Sequence, residues 1–191
     1  MRNEGLIVIL SAPSGCGKDT VFNELCRLRG DCIESVSATT RSPRRGEENG
    51  VNYYFKTKSE FEQMIADNQL LEYACYNGFY YGTPIDGVKR AVSKGLVCFL
   101  IIEVQGAEKV MEMLPDAVSI FLLPPSRDDL YKRLSSRGTD SPEMIEKRMS
   151  IADFELAHAD SYKYQVVNDD LDKAVSEIND IIDNELQKRS K

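Results

Sequence analysis

The chain has 191 residues, and its 31 acidic side chains outnumber its 24 lysines and arginines, which gives a formal net charge of −7. This length fits one domain or slightly more, and the acidic balance argues against a nucleic-acid partner, because such proteins usually present a basic face. The composition, 42% hydrophobic and 29% charged, is that of an ordinary globular protein without a bilayer-spanning run or a signal peptide. We therefore expect a cytoplasmic protein that has neither a membrane nor a nucleic acid as its partner.

The first predicted element is a strand over 6–10, because the run LIVIL is typical of a strand buried on both faces. A glycine-containing loop and a helical pattern follow. In this position glycines let backbone N–H groups turn toward phosphate oxygens, the helix adds partial positive charge, and a lysine reaches the β and γ phosphates. The alternative is a glycine-rich turn that binds nothing. We predict ATP binding by Ala12, Pro13, Ser14, Gly15, Cys16, Gly17, Lys18, Asp19 and Thr20.

This loop departs from the usual phosphate-loop pattern at two positions. Ala12 stands where the pattern has its first glycine, and Asp19 stands where it has the hydroxyl that binds magnesium. A carboxylate beside a triphosphate is repelled unless Mg²⁺ lies between them, and carboxylates suit this ion. We therefore expect Asp19 to bind Mg²⁺ directly or through water, with Thr20 donating to phosphate. The alternative is an Asp19 that only caps the helix or faces solvent.

Residues 35–82 interrupt the alternation of strand and helix. They are rich in Ser, Thr, Asn, Gly and Tyr, with short alternating runs, and this pattern predicts a small β-rich insertion. Ser59 and Glu62 have the spacing of a capping box for one short helix. Arg41 and Arg44 are joined by a Ser-Pro pair that keeps the segment extended or turned, so both guanidiniums could converge on one phosphate. A solvated basic loop is the alternative.

Buried strands and helices alternate again after the insertion. Apolar runs predict strands over 97–102, 117–123 and 164–167. Helix starts are predicted at Thr83 with Pro84 in the first turn, at Ser126, at Ser141, and at Asp169 or Asp170. The last two of these helices should end near Ala159 and Leu186. The alternation predicts an α/β fold, a three-layer core built on a parallel sheet.

Cysteine and histidine usage limits the chemistry further. Five cysteines without a CxxC pair indicate a reduced, intracellular chain rather than a disulfide scaffold or a zinc site. A single histidine, His158, excludes a metal site made of several histidines. Cys16 lies near a helix N-terminus, which can lower a thiol pKa, although a small residue filling the loop is the simpler interpretation.

Six segments in chain order resemble the guanylate kinase family of nucleoside monophosphate kinases. They are SAPSGCGK, SVSATTRSPRRGEENGVNYYF, LLEYACYNGFYYGTP, IIEVQGA, RLSSRGTDSPEMIEKRM and VVNDDLDKA. The resemblance implies a P-loop kinase core with a GMP-binding insertion and a helical lid. The implied limits are 1–34 for the first part of the core, with the phosphate loop at 11–20, then 35–83 for the GMP-binding insertion, 84–125 for the core, 126–154 for the lid and 155–191 for the core again.

The resemblance also implies which residues bind the acceptor. The implied GMP-binding residues are Ser37, Arg41, Arg44, Tyr53, Glu72, Tyr81, Gly82, Thr83 and Glu103. Guanine presents N1–H and N2–H₂ side by side, and one carboxylate accepts from both, whereas adenine would leave that carboxylate unpaired. Glu72, a lone carboxylate in an apolar and aromatic stretch, is therefore a plausible guanine selector. The family usually has a second acidic residue at the position of Ile101, which is missing here.

The implied lid carries arginines that reach the phosphates only when both substrates are bound, and closure then excludes water. Phosphoryl transfer leaves little covalent work to the protein, so positioning and cationic stabilisation dominate. The implied catalytic residues are Lys18, Arg41, Arg137 and Arg148, and Arg133, Arg137 and Asn168 join the ATP side. The alternative for the lid arginines is a solvated helix face paired with acidic side chains.

The sequence thus predicts ATP-dependent phosphorylation of GMP to GDP with Mg²⁺ as cofactor, and of dGMP by resemblance, within purine nucleotide metabolism. ATP and GMP are the expected partners, and the oligomeric state stays open. One alternative is a guanylate-kinase-like binding module without catalysis, but such modules lack a working phosphate loop, and they come joined to other domains that we do not expect here. The other alternative is a kinase of a different monophosphate or of another phosphorylated acceptor.

Overall fold

The computed structural model describes residues 5–136 and 141–189. The strands are β1 (Leu6–Ser11), β2 (Cys32–Glu34), β3 (Ala38–Thr39), β4 (Tyr54–Phe55), β5 (Leu70–Tyr76), β6 (Phe79–Pro84), β7 (Val97–Ile101), β8 (Val118–Leu123) and β9 (Tyr164–Val167). The helices are α1 (Lys18–Arg29), α2 (Lys58–Ala66), α3 (Ile85–Ser93), α4 (Val104–Met113), α5 (Arg127–Ser135), α6 (Pro142–Leu156) and α7 (Leu171–Arg189), with a short 3₁₀ helix at Ala159–Ser161.

The main sheet has five strands in the order β2-β7-β1-β8-β9, and every neighbouring pair is parallel. Alternate side chains of central β1 enter two different cores: Leu6, Val8 and Leu10 pack with α1, α5, α6 and α7, whereas Ile9 packs with α3 and α4. This explains the uninterrupted apolar run of β1, because both of its faces are buried. The predicted three-layer α/β fold with a parallel sheet is therefore confirmed.

The insertion forms a second sheet of four strands, in the order β4-β3-β6-β5. β6 pairs antiparallel with both β3 and β5, and α2 covers this sheet through Phe61, whose ring stacks on that of Tyr80 with the centroids 5.2 Å apart. Its edge strand β5 contacts α4 of the main domain. The predicted β-rich insertion thus has its own small core, and it packs against the main sheet's helix α4. No helix in the described ranges has both the length and the apolar character needed to cross a membrane.

Helix α2 begins two residues earlier than the sequence pattern predicted. The capping box is formed by Thr57 and Glu60, not by Ser59 and Glu62: the Glu60 N–H donates to Thr57 Oγ1 at 3.2 Å, and the Thr57 N–H donates to Glu60 Oε2 at 2.7 Å. Both pairs have the required spacing of three, and the box is formed by the pair whose hydroxyl residue, Thr57, directly precedes the first helical residue.

Thr83 does not cap a helix, contrary to the prediction. It lies in β6, its hydroxyl donates to Glu72, and α3 begins at Ile85 without a side-chain cap. The predicted caps at Ser126 and Ser141 are confirmed, since each accepts a backbone N–H from its helix. β2 was not predicted, because this short edge strand has largely exposed side chains and no apolar run.

A buried arginine connects the first and last helices. Arg29, at the end of α1, donates to Asp31 at 2.9 Å and to Asp183 of α7 at 2.6 Å, and its side chain is only 9% exposed. It also donates to Asn179, at 2.8 Å. With a second bond from Nη2 to Asp31, at 3.2 Å, four N–H groups of one guanidinium are satisfied by Asp31, which follows α1, and by α7.

We expect Arg29→Ala to lower the free energy of unfolding by about 2 kcal/mol, because two half-buried carboxylates lose their partner. Denaturant unfolding measures this change. Arg27→Ala is the matched control: Arg27 pairs with Glu24 on the surface, where such a pair contributes well under about 1 kcal/mol. Equal losses in the two variants would contradict a structural role for the Arg29 cluster.

Candidate active site

The candidate site lies at the carboxyl edge of the parallel sheet, where ligands of open α/β folds usually bind. The loop after β1 leads into α1, Glu103 follows β7, and Asn168 follows β9. The strands are parallel, so these three segments emerge at the same edge. The phosphate loop, Glu103 and Asn168 therefore lie at one edge of the sheet.

The loop over residues 12–18 is curled by two glycines in the left-handed region. Gly15 has φ +96° and Gly17, the N-cap of α1, has φ +86°. A Cβ at Gly15 would lie 2.9 Å from Leu134 Cδ2, so space as well as backbone conformation requires glycine there. Ala12 has no positive φ and packs its methyl group into the core, which explains why this chain needs no glycine at the pattern's first position.

The polar side chains of the loop differ in exposure. Lys18 folds back so that its ammonium donates to the Ala12 carbonyl at 2.6 Å. Asp19 and Thr20, in the first turn of α1, are exposed. Loss of hydration raises the pKa of Glu34 at the end of β2, and the nearby negative charge of Asp19 raises it further. Two carboxylates thus lie beside the loop at the position where the sequence predicts Mg²⁺.

Cys16 is buried beneath the loop, and its thiol is protected. Burial raises its pKa to about 11, because loss of hydration outweighs the neighbouring charges of Lys18 and Arg133. The helix N-terminus therefore does not produce a reactive thiolate here. The structure favours the simpler interpretation of Cys16 as a small residue that fills the loop.

Polar side chains from α5, α6 and the segment after β9 form hydrogen bonds with the loop or with each other beside it. Asn168 Nδ2 donates to the Cys16 carbonyl at 2.7 Å, and Arg133 of α5 donates to the Asn168 carbonyl at 2.8 Å. Arg148 of α6 donates to Ser14 Oγ at 2.6 Å. The structure thus brings three of the four residues predicted beside the phosphate loop into one network with it. The fourth, Arg137, lies outside the described residues.

The predicted guanine selector is buried between the insertion and α4. Glu72 Oε1 accepts a hydrogen bond from Thr83 Oγ1 at 2.7 Å, and a Cβ at Gly106 of α4 would lie 3.1 Å from Oε2. Burial raises the pKa of Glu72, and the Thr83 hydroxyl and the Lys109 ammonium partly offset this. Glu72 is therefore a carboxyl with one oxygen engaged by Thr83 and the other held against a residue that has no side chain.

Gly82 has a packing role. A Cβ at this position would lie 2.7 Å from the Glu72 carbonyl oxygen and 3.1 Å from the Phe61 ring. Glycine therefore lets β6 approach β5 beside the buried Glu72. Ser37, which precedes β3, is half-buried, and its carbonyl accepts the Tyr54 N–H at 2.8 Å.

Arg41 is held by Glu47, a residue that sequence reasoning missed. Its guanidinium makes a bidentate pair with the Glu47 carboxylate at 2.8 and 2.9 Å, and Nη1 also donates to the Ser42 carbonyl. The pair lowers the pKa of Glu47 to about 2. Glu47 also accepts the Arg44 N–H, at 2.7 Å. These bonds use both Nη1 hydrogens and one of Nη2, and they fix the orientation of the Arg41 guanidinium.

The two predicted arginines are presented differently. The Arg41 guanidinium lies 5.4 Å from the centroid of the Tyr53 ring, and Tyr53 packs edge-on against Tyr81. Arg44 has an exposed side chain, and its backbone N–H is the group in contact with Glu47. Glu103 caps the start of α4 without a side-chain bond to the helix, and its side chain is exposed at the sheet edge. A signal for Glu47 was its place in RSPRRGEE, an acidic residue that directly follows the basic run.

Comparison with known proteins decides the family. The guanylate kinase family model matches residues 4–185. The chain belongs to the guanylate kinase family. It is 48% identical to the guanylate kinase of Bacillus subtilis over 192 residues, covering all of this chain and 94% of that protein. It is 49% identical to the guanylate kinase of Shouchella clausii, covering all of this chain and 93% of that protein.

A solved structure supports the same assignment. The crystal structure of guanylate kinase from Anaplasma phagocytophilum superposes with a TM-score of 0.73 at 36% identity, covering 96% of this chain and 87% of that one. The family membership makes the chain a nucleoside monophosphate kinase with a P-loop kinase fold. The resemblance that the six sequence segments indicated is therefore confirmed.

Proposed function

We propose that this protein transfers the γ-phosphoryl group of ATP to GMP, forming ADP and GDP. The observation that supports this most is Glu72: a buried carboxyl with Thr83 beside it, in the insertion of a chain that belongs to the guanylate kinase family. A carboxylate at that place pairs with the adjacent N1–H and N2–H₂ of guanine and with no donor pair of adenine. The reaction belongs to purine nucleotide metabolism, and the five free thiols fit the proposed cytoplasmic location.

On the donor side, the backbone of residues 12–18 and the positive end of α1 would hold the ATP phosphates. Lys18 would leave the Ala12 carbonyl for the β and γ phosphates, since phosphate oxygens are stronger acceptors for an ammonium. Arg133 and Arg148, already in contact with Asn168 and Ser14, approach from α5 and α6, and we assign Arg137 to the same task. These cations stabilise the charge that develops on the transferred group.

On the acceptor side, Arg41 is the main ligand we assign to the GMP phosphate. Glu47 fixes the guanidinium from one edge, and we assign the remaining N–H groups, which lie near the Tyr81 hydroxyl, to the phosphate oxygens. Tyr53, Tyr81 and Arg44 surround that phosphate, Ser37 and Thr83 complete base recognition, and Glu103 faces the acceptor from the end of β7. None of these groups is assigned to the ribose 2′-hydroxyl, so we extend the proposal to dGMP.

The residues beside the loop fit Mg²⁺ bound together with ATP. Asp19 and Glu34 present oxygen ligands close to each other, and a divalent cation between them and the phosphates would relieve their repulsion. The described residues contain no cluster of three metal-binding side chains, so ATP oxygens and water would complete the coordination. When bound, the ion neutralises charge on the β and γ phosphates. We assign Asp19 as its protein ligand.

We also propose that residues 35–83 and 126–154 act as the GMP-binding unit and the lid on a core of 1–34, 84–125 and 155–191. An arginine from α6 on the phosphate loop supports this division, because closure would deliver cations and remove water in one movement.

The test of the function is a coupled assay of ADP release with ATP and each of GMP, dGMP, AMP, CMP and UMP. We expect GMP and dGMP to be phosphorylated and the other three to react at least about a hundredfold more slowly, because a buried carboxylate without donors is costly. Absence of ADP release with GMP would overturn the proposal. Equal rates with GMP and AMP would overturn the role of Glu72.

Gly106→Ala tests how tightly Glu72 is placed. The added Cβ would lie 3.1 Å from Glu72 Oε2, so the carboxyl must shift, and we expect the KM for GMP to rise about tenfold while the KM for ATP stays unchanged. Gly87→Ala is the matched control, because Gly87 is also a helix glycine but has open space around its Cβ position. If Gly106→Ala left the KM for GMP at the value of the control, the assignment of Glu72 to the base would be wrong.

Asp19→Ser tests the magnesium ligand. We expect the Mg²⁺ concentration for half-maximal rate to rise about tenfold, because a charged oxygen ligand is replaced by a neutral one. Asp86→Ser is the control: Asp86 occupies the equivalent second position of α3, is exposed, and lies outside the phosphate loop. Titration of Mg²⁺ at fixed ATP distinguishes the two. An unchanged Mg²⁺ dependence in Asp19→Ser would remove Asp19 from the metal site.

A further inference from the structure

Glu155 is a buried carboxyl to which none of the roles above assigns a function. It lies on α6 seven residues after Arg148, that is, about two turns along the same face of the helix. Arg148 contacts Ser14 Oγ, and Glu155 faces the backbone N–H of the same residue. Helix α6 therefore contacts the phosphate loop through two side chains. The second of these, Glu155, is only 4% exposed.

The groups around Glu155 come from several elements. The titratable ones that face it are Glu103 before α4, Lys18 and Cys16 of the phosphate loop, and Tyr162 after the 3₁₀ helix. The carboxyls of Glu155 and Glu103 are close enough for one to donate a hydrogen bond to the other. Glu155 Oε2 has no hydrogen-bond donor among the described residues. Two carboxyls in contact need a proton between them, because two negative charges at that distance repel strongly.

The Glu155 carboxyl holds a proton because it is enclosed by the loop, α6 and Tyr162, whereas Glu103 is exposed at the sheet edge. Burial, followed by the hydrogen bond and the charge of Glu103, raises the pKa of Glu155 to about 8, although Lys18 and the Ser14 N–H act in the opposite direction. At neutral pH Glu155 is therefore a neutral hydrogen-bond donor, and Glu103 is the acceptor.

We propose that Glu155 is a positioning residue of phosphoryl transfer, whose protonated carboxyl donates to Glu103 and so connects the lid helix that carries Arg148 to the acceptor side. The inference rests on the proposed function, because Glu103 is assigned to GMP. One face of α6 then has two roles. Arg148 contacts Ser14 of the phosphate loop, and the protonated Glu155 orients the Glu103 side chain after β7. Ionisation of Glu155 removes the donor and places two negative charges in contact, which separates α6 from Glu103.

The kinetic test uses Glu155→Gln and Glu155→Ala. For the natural protein, kcat/KM for GMP should fall about tenfold between pH 7 and pH 9, as one group with a pKa near 8 ionises. Glu155→Gln still donates to Glu103 but cannot ionise, so this fall should shrink to less than about twofold. Glu155→Ala removes the donor, and its kcat/KM for GMP at pH 7 should be about tenfold below that of Glu155→Gln.

Glu185→Gln is the matched control for burying an amide in place of a carboxyl. Glu185 is as buried as Glu155, but it lies on α7 and is bound by Lys163, Tyr164 and Lys188, which hold its pKa at about 2. This variant should lose stability and keep the natural pH profile. A pH profile that flattens equally in Glu185→Gln and Glu155→Gln would overturn the proposal, and so would a Glu155→Gln variant that keeps the full alkaline fall.

A direct titration tests the proton without any turnover. In protein labelled with ¹³C at glutamate carboxyls, the Glu155 signal, assigned through bonds from its backbone, should titrate near pH 8. Stability should change in the matching direction. Between pH 4.5 and pH 8 the folded state keeps a proton that the unfolded state releases, so stability falls as pH rises, and Glu155→Gln should remove this part of the fall. A Glu155 signal that titrates below pH 6 would overturn the inference, even if GMP is phosphorylated. Absence of GMP phosphorylation with a titration near pH 8 would instead overturn the proposed function alone.

Discussion

The curled backbone of the phosphate loop, residues 12–18, is the feature on which the rest of the site depends. A loop that turns N–H groups toward a ligand leaves carbonyl groups facing the protein, and these need donors. Lys18 and Asn168 supply two of them, to Ala12 and Cys16. Because Asn168 follows β9, the last strand of the sheet must reach the same edge as the first. The position of Asn168 at this edge is thus a consequence of holding the loop backbone in place.

The same constraint explains the small residues of the loop and the large ones around it. Leu134 of α5 packs against Gly15, and Asn168 Nδ2 lies 3.1 Å from the position of a Cβ at Gly17. α5 therefore packs directly on the loop, and Arg133, the residue before Leu134, reaches the Asn168 carbonyl. The same two segments thus make both packing and polar contacts with the loop. This places Arg133 beside the loop to which we assign the ATP phosphates.

Charge distribution and net charge carry different information in this chain. The net charge of −7 argues against a polyanionic polymer as partner, but residues 37–58 contain five basic and two acidic side chains. One of those acidic residues, Glu47, orients Arg41 and leaves the Nε edge of its guanidinium unused by these bonds. Because Glu47 fixes the guanidinium, Arg41 would bind the phosphate we assign to it at a smaller entropic cost than a mobile arginine. An acidic residue can in this way favour the binding of an anion by a neighbouring cation.

The sequence predicted the parts of the fold that are determined locally. The run in β1, the glycines at 15 and 17, and the caps at Ser126 and Ser141 each act over a few residues, and each appears as expected. The errors concern choices between two competing local patterns. Thr57 rather than Ser59 caps α2, and Thr83 gives its hydroxyl to Glu72 instead of to a helix, because a buried carboxyl needs that donor more than an exposed helix end does.

The parts that could not be predicted depend on contacts between distant segments. Asn168 and Cys16 are 152 residues apart, and nothing in the local sequence of either predicts the hydrogen bond between them. Glu155 reads as one polar residue on an amphipathic helix, since only the packing of α6 on the loop shows that it is buried. Edge strand β2 has no apolar run, because backbone pairing with β7 holds it in the sheet while its side chains stay largely exposed. Long-range burial, rather than local propensity, decides the chemistry of these groups.

Three buried glutamates show how far environment alone sets that chemistry. Glu185 meets two ammonium groups and a phenol, so its pKa falls to about 2 and it acts as a structural anion. Glu72 meets one hydroxyl and a glycine, so its pKa rises and it keeps unused accepting capacity, as a group that awaits donors from a ligand should. Glu155 meets another carboxyl, so its pKa rises to about 8 and it becomes a donor. A buried glutamate is thus an ion-paired structural carboxylate beside cations, an acceptor with free capacity beside a hydroxyl and a glycine, and a hydrogen-bond donor beside a second carboxyl.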